Sequence, residues 1–177
     1  MIVIANSGPL MALGKLGLLE LLPQLYGQVR LPTAVYAEVV VRGSERGYPD
    51  ALLVQVAIQR GQLVVIEVGH TELAPEIAAL HLDMGEKQIL HVALRDKADL
   101  VLLDDLKARE EAQARGLTVK GTLGVIMQAY RAKLLRLDEV QTLVEAIIAR
   151  DDIWIAEGLC RQVLAKLETE CTDGNNV

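Results

Sequence analysis

Five short runs rich in Val, Ile and Leu recur along the chain, and long stretches of helical periodicity separate them. The runs are MIVIAN (1–6), QVRLP (28–32), LVVIEV (63–68), DLVLLD (99–104) and LTVKG (117–121). Strands this short and this apolar suit a sheet buried on both faces, and parallel neighbours need a crossover of a dozen or more residues, usually a helix. The alternation predicts an α/β domain: a three-layer α/β/α sandwich around a mostly parallel sheet, with helices closing the C-terminal end.

The intervening segments read as helices. PLMALGKLGLLELLPQLYG (9–27) is leucine-rich and interrupted near Gly14 to Gly17, and TAVYAEVVVRG (33–43) opens at Pro32-Thr33. ALLVQVAIQRG (51–61) ends at Gly61, and GEKQILHVALRDKA (85–98) is amphipathic. DLKAREEAQARG (105–116) is a charged surface helix, and three more helices follow from Thr122. Residues 70–85 carry only weak helix and turn signals. The organisation predicted is a domain over 1–135, a helical extension over 136–170 packed on that domain, and a frayed tail over 171–177. In the extension, Leu143, Ile147 and Ile148, and then Leu159, Val163, Leu164 and Leu167, form apolar stripes whose default use is core packing.

Composition limits the chemistry. The 177 residues are 51% hydrophobic without a single Phe, so the core is aliphatic, and with aromatics at 3% stacking platforms for single-stranded bases are scarce. A formal charge of -6 argues against a broad basic face for nucleic acid, yet it is compatible with an acidic site that carries cations to a phosphate backbone. Cys160 and Cys171 have no zinc-like spacing and read as reduced structural thiols. The N-terminal apolar run is too short for export or for spanning a bilayer, so the expectation is a cytoplasmic protein without membrane contact.

In open parallel sheets ligands gather beyond the carboxyl ends of the strands, near the point where strand order reverses. Asn6 with Ser7 ends the first strand and Asp104-Asp105 ends the fourth, which puts both on that rim. One aspartate is enough to cap a helix; a second beside it is repulsive unless a cation neutralises the pair. The expectation is that Asp104 caps and Asp105 faces a metal. Glu86, in the first turn of its helix, suits the helix dipole and also points back toward Asp104-Asp105. Glu38 sits among aliphatics in AVYAEVVV, where burial is costly without a cation or donor. Asn6 and Ser7 could equally be turn residues. Arg109 can pair with an acid one helical turn away or meet a substrate phosphate, and Thr122 can cap the following helix or reach the site. Oxygen ligands of this kind select Mg2+ or Mn2+. No phosphate-binding glycine loop or nucleophile elbow is present, and His70, His81 and His91 are scattered.

IANSGPLMAL, LPTAVYAEV, MGEKQILHVAL and ADLVLLDDLKAREEAQARGLTVKGTLGVI together resemble the PIN-domain family, over roughly residues 2 to 135. The nearest likeness is to its bacterial and archaeal branch of nucleic-acid-binding PIN proteins. The resemblance implies a Mg2+- or Mn2+-dependent ribonuclease acting on RNA, often the toxin of a toxin–antitoxin pair with a small antitoxin-like partner, and often a homodimer. The family's acidic positions fall on Asn6, Glu38, Glu86 and Asp105, with Asp104 adjacent; Glu86, Asp105 and Asp104 would bind metal, and Ser7, Arg109 and Thr122 would meet substrate. Asn6 departs from the wider family by offering a carbonyl oxygen without charge, and the remaining acids suffice for one metal. The alternative is a degenerate PIN scaffold that binds RNA or a protein without cleaving. A receiver-like phospho-acceptor fits poorly, because its acidic pair would follow the first strand.

Overall fold

The computed structural model describes residues 1–69 and 73–174, with side chains described through Leu167. Two compact units make up the chain, Met1–Thr122 and Leu123–Val177. The first starts with β1 (Val3–Ala5), α1 (Ser7–Lys15), α2 (Leu21–Tyr26) and β2 (Val29–Pro32). α3 (Thr33–Tyr36), a π-helical stretch (Ala37–Arg42), α4 (Gly43–Glu45), α5 (Pro49–Gln59) and β3 (Leu63–Ile66) come next. α6 (Pro75–Ala78), α7 (Met84–Arg95), β4 (Leu100–Leu102), α8 (Leu106–Ala114) and β5 (Val119–Lys120) complete it.

All five strands pair in parallel, in the order β3-β2-β1-β4-β5. The fold is therefore the expected α/β arrangement. Chain order runs outward from β1 through β2 to β3 and then returns to β4 on the other side, so the reversal lies between β1 and β4. Ala5 is level with Leu102 there. One bond carries the pairing past the strand ends, from the Asn6 N–H to the Leu102 carbonyl at 2.9 Å. Val3, Ile4, Ala5, Val101, Leu102 and Leu103 are fully buried, as strands covered on both faces require.

Local chemistry explains where the helices break. α1 ends at Lys15, two residues before Gly17, whose φ of 70° suits a residue without a Cβ. The helix expected over 33–43 is not regular α: its middle, Ala37–Arg42, is wound as a π-helix, and Glu38 lies in that widened turn. Three consecutive valines (39–41) crowd this segment, and β-branched side chains lose χ1 freedom against the preceding turn. β3 stops at Ile66, two residues short of its expected end. There the chain turns to Thr33, whose hydroxyl donates to the Ile66 carbonyl at 3.0 Å and accepts from the Val68 N–H at 3.1 Å.

The second unit takes in α9 (Thr122–Arg131) from Leu123 onward, α10 (Leu137–Ala149) and α11 (Glu157–Gly174). It begins at the start of α9, not at the 135/136 boundary expected from sequence. α11 also continues through Gly174, into the segment expected to fray; residues 175–177 lie outside the described residues. On α10 the buried side chains are Val140, Val144 and Ile147, one stripe at helical spacing, whereas Leu143 and Ile148 flank it half-buried. On α11 Leu167 is buried as expected, but Leu159 is 50% exposed and Cys160 is buried in its stead. Among the described residues no helix is long and apolar enough to cross a membrane.

Candidate metal centre at the sheet's switch point

Asn6 leaves β1 in an extended conformation and precedes α1 without capping it by its side chain. It is 5% exposed, and its Oδ1 is a buried polar atom with no hydrogen-bond partner among the described residues. Such orphans are rare in native folds. A Cβ placed on Gly85 would lie 3.5 Å from this oxygen and 3.3 Å from Asp83 Oδ1. The orphan therefore lies against the first turn of α7, at Gly85.

That turn is a capping box. The Glu86 N–H donates to Asp83 Oδ1 at 2.7 Å, and the Asp83 N–H donates to Glu86 Oε2 at 3.1 Å. Glu86 is buried, and burial pushes its carboxyl above the ordinary value. The Asp83 N–H opposes this, while the charges of Asp83, Asp105 and Glu38 raise it further. Those three carboxylates thus crowd Glu86 electrostatically. Asp83 and Asp105 are exposed and Glu38 half-buried, whereas Asn6 and Glu86 are buried. Glu38 has a loose partner in Arg42, one turn on, at 3.9 Å.

Gln88 fixes how α7 meets α3. Its Oε1 accepts from the Ala34 N–H at 2.8 Å, satisfying a first-turn donor of α3, and its Nε2 donates to the Val68 carbonyl at 3.2 Å. The link brings the helical segment bearing Glu38 to the helix bearing Glu86. Sequence reading missed both Asp83 and Gln88. The spacing Asp83-Met-Gly-Glu86 is a capping-box signature that could have revealed the first; for Gln88 the only signal is a polar residue on the apolar face of α7.

The capping role expected of Asp104 falls to Asp105. Asp105 is the helix cap: its Oδ1 accepts from the Ala108 N–H at 2.9 Å. Asp104 instead turns to Thr122, accepting from its N–H at 2.7 Å and its hydroxyl at 2.6 Å. Burial raises the Asp104 carboxyl, and the two bonds from Thr122 and the charge of Arg109 act against that rise. Capping needs an acceptor one residue before the helix, and α8 starts at Leu106, so the second aspartate occupies that position. Both Asp104 oxygens accept bonds from Thr122, so Asp104 clasps the chain just beyond β5.

The three residues expected to meet substrate are each placed by the fold. Thr122 is fully buried with its hydroxyl donating to Asp104, and Ser7 is buried at the start of α1. The Arg109 guanidinium donates to the Leu103 carbonyl at 2.9 Å, bracing the turn before Asp104 rather than bonding an acid one turn away. His81 is exposed and His91 half-buried, and His70 lies outside the described residues. Cys160 is a buried free thiol whose pKa burial raises; the Cys171 side chain lies outside the described residues.

Among the described residues, no group of three or more His, Cys, Asp or Glu side chains is placed to hold a metal ion. The donor types alone suit a hard cation: a buried amide oxygen without a partner, and carboxylates at the turn beside it.

This acid-rimmed switch point on a parallel sheet defines a class, and the family comparison agrees: the chain belongs to the DUF3368 family of PIN domains, matched over residues 2–169. The match takes in α10 and most of α11, beyond the residue-135 limit of the resemblance drawn from motifs. PIN domains are generally nucleases and typically use divalent metals. Among solved structures, the chain is similar to a PilT N-terminus domain protein from the hyperthermophilic archaeon Sulfolobus solfataricus P2. The two share 17% identity with a TM-score of 0.51, over 73% of this chain and 93% of that one, a likeness of fold. No curated protein matches.

Proposed function

We propose that this PIN domain is a Mg2+- or Mn2+-dependent endoribonuclease. The observation that carries the reading is the unpartnered Asn6 Oδ1, buried against Gly85 in the turn that carries Glu86, whose carboxyl feels the charges of Asp83, Asp105 and Glu38. Like-charged carboxylates held together around a desolvated oxygen are stabilised by a cation. Glu86, Asp105 and Asn6 would hold it, and Glu38 would orient a water. A bound divalent ion supplies charge stabilisation at the scissile phosphate and an activated water. The chain itself contributes rigidity: Gln88 fixes the approach of α3 to α7, the capping box sets Glu86, and Arg109 and Asp104 brace the β4–α8 turn.

RNA as substrate, a small antitoxin-like partner, a homodimer and a cytoplasmic setting belong to this proposal on the strength of the motif resemblance. A non-cleaving RNA- or protein-binding scaffold is the second reading, favoured by the missing charge at Asn6. Cleavage of mixed-sequence single-stranded RNA under Mn2+ titration separates the two. The nuclease reading expects Mn2+-dependent cuts that chelator abolishes and Asp105→Asn suppresses; intact RNA at every Mn2+ concentration contradicts it.

A further inference from the structure

We infer that the surface formed by Val41, Tyr48, Leu52 and Leu53 docks a second copy of this chain, in a two-fold interface that sets Glu45 of each copy against Arg46 of the other. The inference rests on the homodimer in the reading above, to which it gives a surface, and is independent of the metal and of RNA cleavage.

The first observation is the surface itself. All four side chains are exposed, Leu52 at 61%. The π-helical stretch Ala37–Arg42 and α4 both pack against α5, which brings the four to one place. A Cβ added to Gly43 would stand 2.8 Å from the Ala51 Cβ, so the glycine is what lets these segments approach so closely. Val41 lies two residues before that contact and Leu52 one residue after it. The turn between them is tied to the same spot. The Tyr48 N–H donates to the Gly43 carbonyl at 2.9 Å, and the Ala51 N–H donates to the Tyr48 carbonyl at 3.2 Å. Exposed apolar side chains gathered in this way mark an interaction face, whereas single ones are ordinary.

The second observation is the charge around that face, which selects the occupant. Glu38, Arg42, Glu45 and Arg46 balance to zero, while the whole chain carries -6. Two copies repel each other over most of their surface and meet without net repulsion here. A strongly charged partner finds no opposite field at this face. Glu45 ends α4 and Arg46 follows it; both are exposed, and neither has an ion pair among the described residues. Neighbouring residues on a helix do not face each other, so they leave one another unpaired. A two-fold axis places the same patch on itself, with residue i against j and j against i. Adjacent opposite charges beside an apolar centre suit that symmetry. The π-helical stretch that supplies Val41 also carries Glu38, so a docked copy packs on a segment bearing one of the acids of the candidate site.

Sedimentation of the full chain across a concentration series tests this. Wild type should be a dimer. Glu45→Arg and Arg46→Glu each set like charges against one another twice in a symmetric pair, and each should weaken association roughly tenfold or more. An equal mixture of the two variants restores opposite charges at both contacts and should associate as tightly as wild type. Leu52→Asp should also weaken association roughly tenfold or more. Trp154→Ser, at an 85% exposed side chain of the second unit, should leave it unchanged. Circular dichroism checks that each variant folds; if Leu52→Asp does not, the mixture of charge variants decides. Wild-type association in Leu52→Asp and in both charge variants, or its loss in Trp154→Ser alone, would overturn the surface and leave the homodimer standing. Weakening in both charge variants without recovery in their mixture would overturn the pairing of Glu45 with Arg46. A monomeric wild type would overturn the surface and the homodimer together, with the metal-dependent reading untouched.

Discussion

Asp104 and Thr122 are clasped at two points: the Thr122 N–H donates to Oδ1 at 2.7 Å and its hydroxyl to Oδ2 at 2.6 Å. The contact spans the β4 and β5 ends of the sheet and supplies an acceptor at the start of α9. Charge-assisted bonds of this kind are among the stronger ones in proteins. Thr122→Val strips the hydroxyl and leaves Oδ2 without its donor, so urea unfolding should show a loss of about 1–3 kcal/mol. Asp104→Asn should also destabilise, and the double variant should lose less than the sum of the singles, as expected for residues in contact. Strict additivity would mean the clasp contributes nothing.

Gly121 is tied to the same contact. A Cβ there would stand 2.7 Å from Asp104 Oδ1 and 2.9 Å from Arg109 Nη1. Thr122 bonds both oxygens of that carboxylate, which resists its swinging clear. Gly121→Ala should therefore cost about 1–3 kcal/mol through overpacking. A melting temperature equal to wild type would show that the turn has slack.

Tyr26 gives an alkaline signature. Burial pushes its phenol from 10.0 up to about 12, and Lys120 Nζ lies 5.8 Å from its ring centre. The folded state holds the neutral phenol where the unfolded chain ionises. Its contribution is therefore complete below pH 10 and is lost as pH rises toward 12. Absorbance titration should show a late-ionising tyrosine that disappears in Tyr26→Phe. If the two proteins titrate with the same late component, another tyrosine is responsible.

Asp96 gives the acid counterpart. The Arg95 guanidinium beside it, followed by the charges of Arg95, Arg30 and His91, holds its carboxyl below the ordinary value against a smaller opposing effect of burial. Arg30 reaches it from β2 at 3.4 Å. A depressed carboxyl stabilises the fold above its unfolded pKa, and that contribution is lost as pH falls from the ordinary carboxylate range through the lower native value. Asp96→Asn should flatten this part of the acid melting curve. An acid limb as steep as wild type would assign the loss to other carboxylates.

The layers of the fold were legible because each strand is a short aliphatic run between helical patterns, a signal that does not depend on distant contacts. Motif likeness also singled out Asn6, Glu38, Glu86 and Asp105. The division of labour inside the Asp104-Asp105 pair was not legible. It depends on where α8 begins, by one residue, and on Thr122, which is eighteen positions away and reaches Asp104 only through the pairing of β4 with β5. Asp83 was hidden for a different reason: a capping box is local, but residues 70–85 lacked the periodicity that would have fixed the start of α7. The orphaned oxygen of Asn6 has no sequence signal, since a missing partner exists only in three dimensions.

The most direct test is the rate of Mn2+-dependent cleavage of single-stranded RNA by Glu86→Gln beside wild type, with both proteins verified as folded. Glutamine keeps the shape and the capping acceptor but removes the charge. The account predicts a fall of roughly 100-fold or more. Equal rates in the two proteins would contradict it and remove Glu86 from the chemistry.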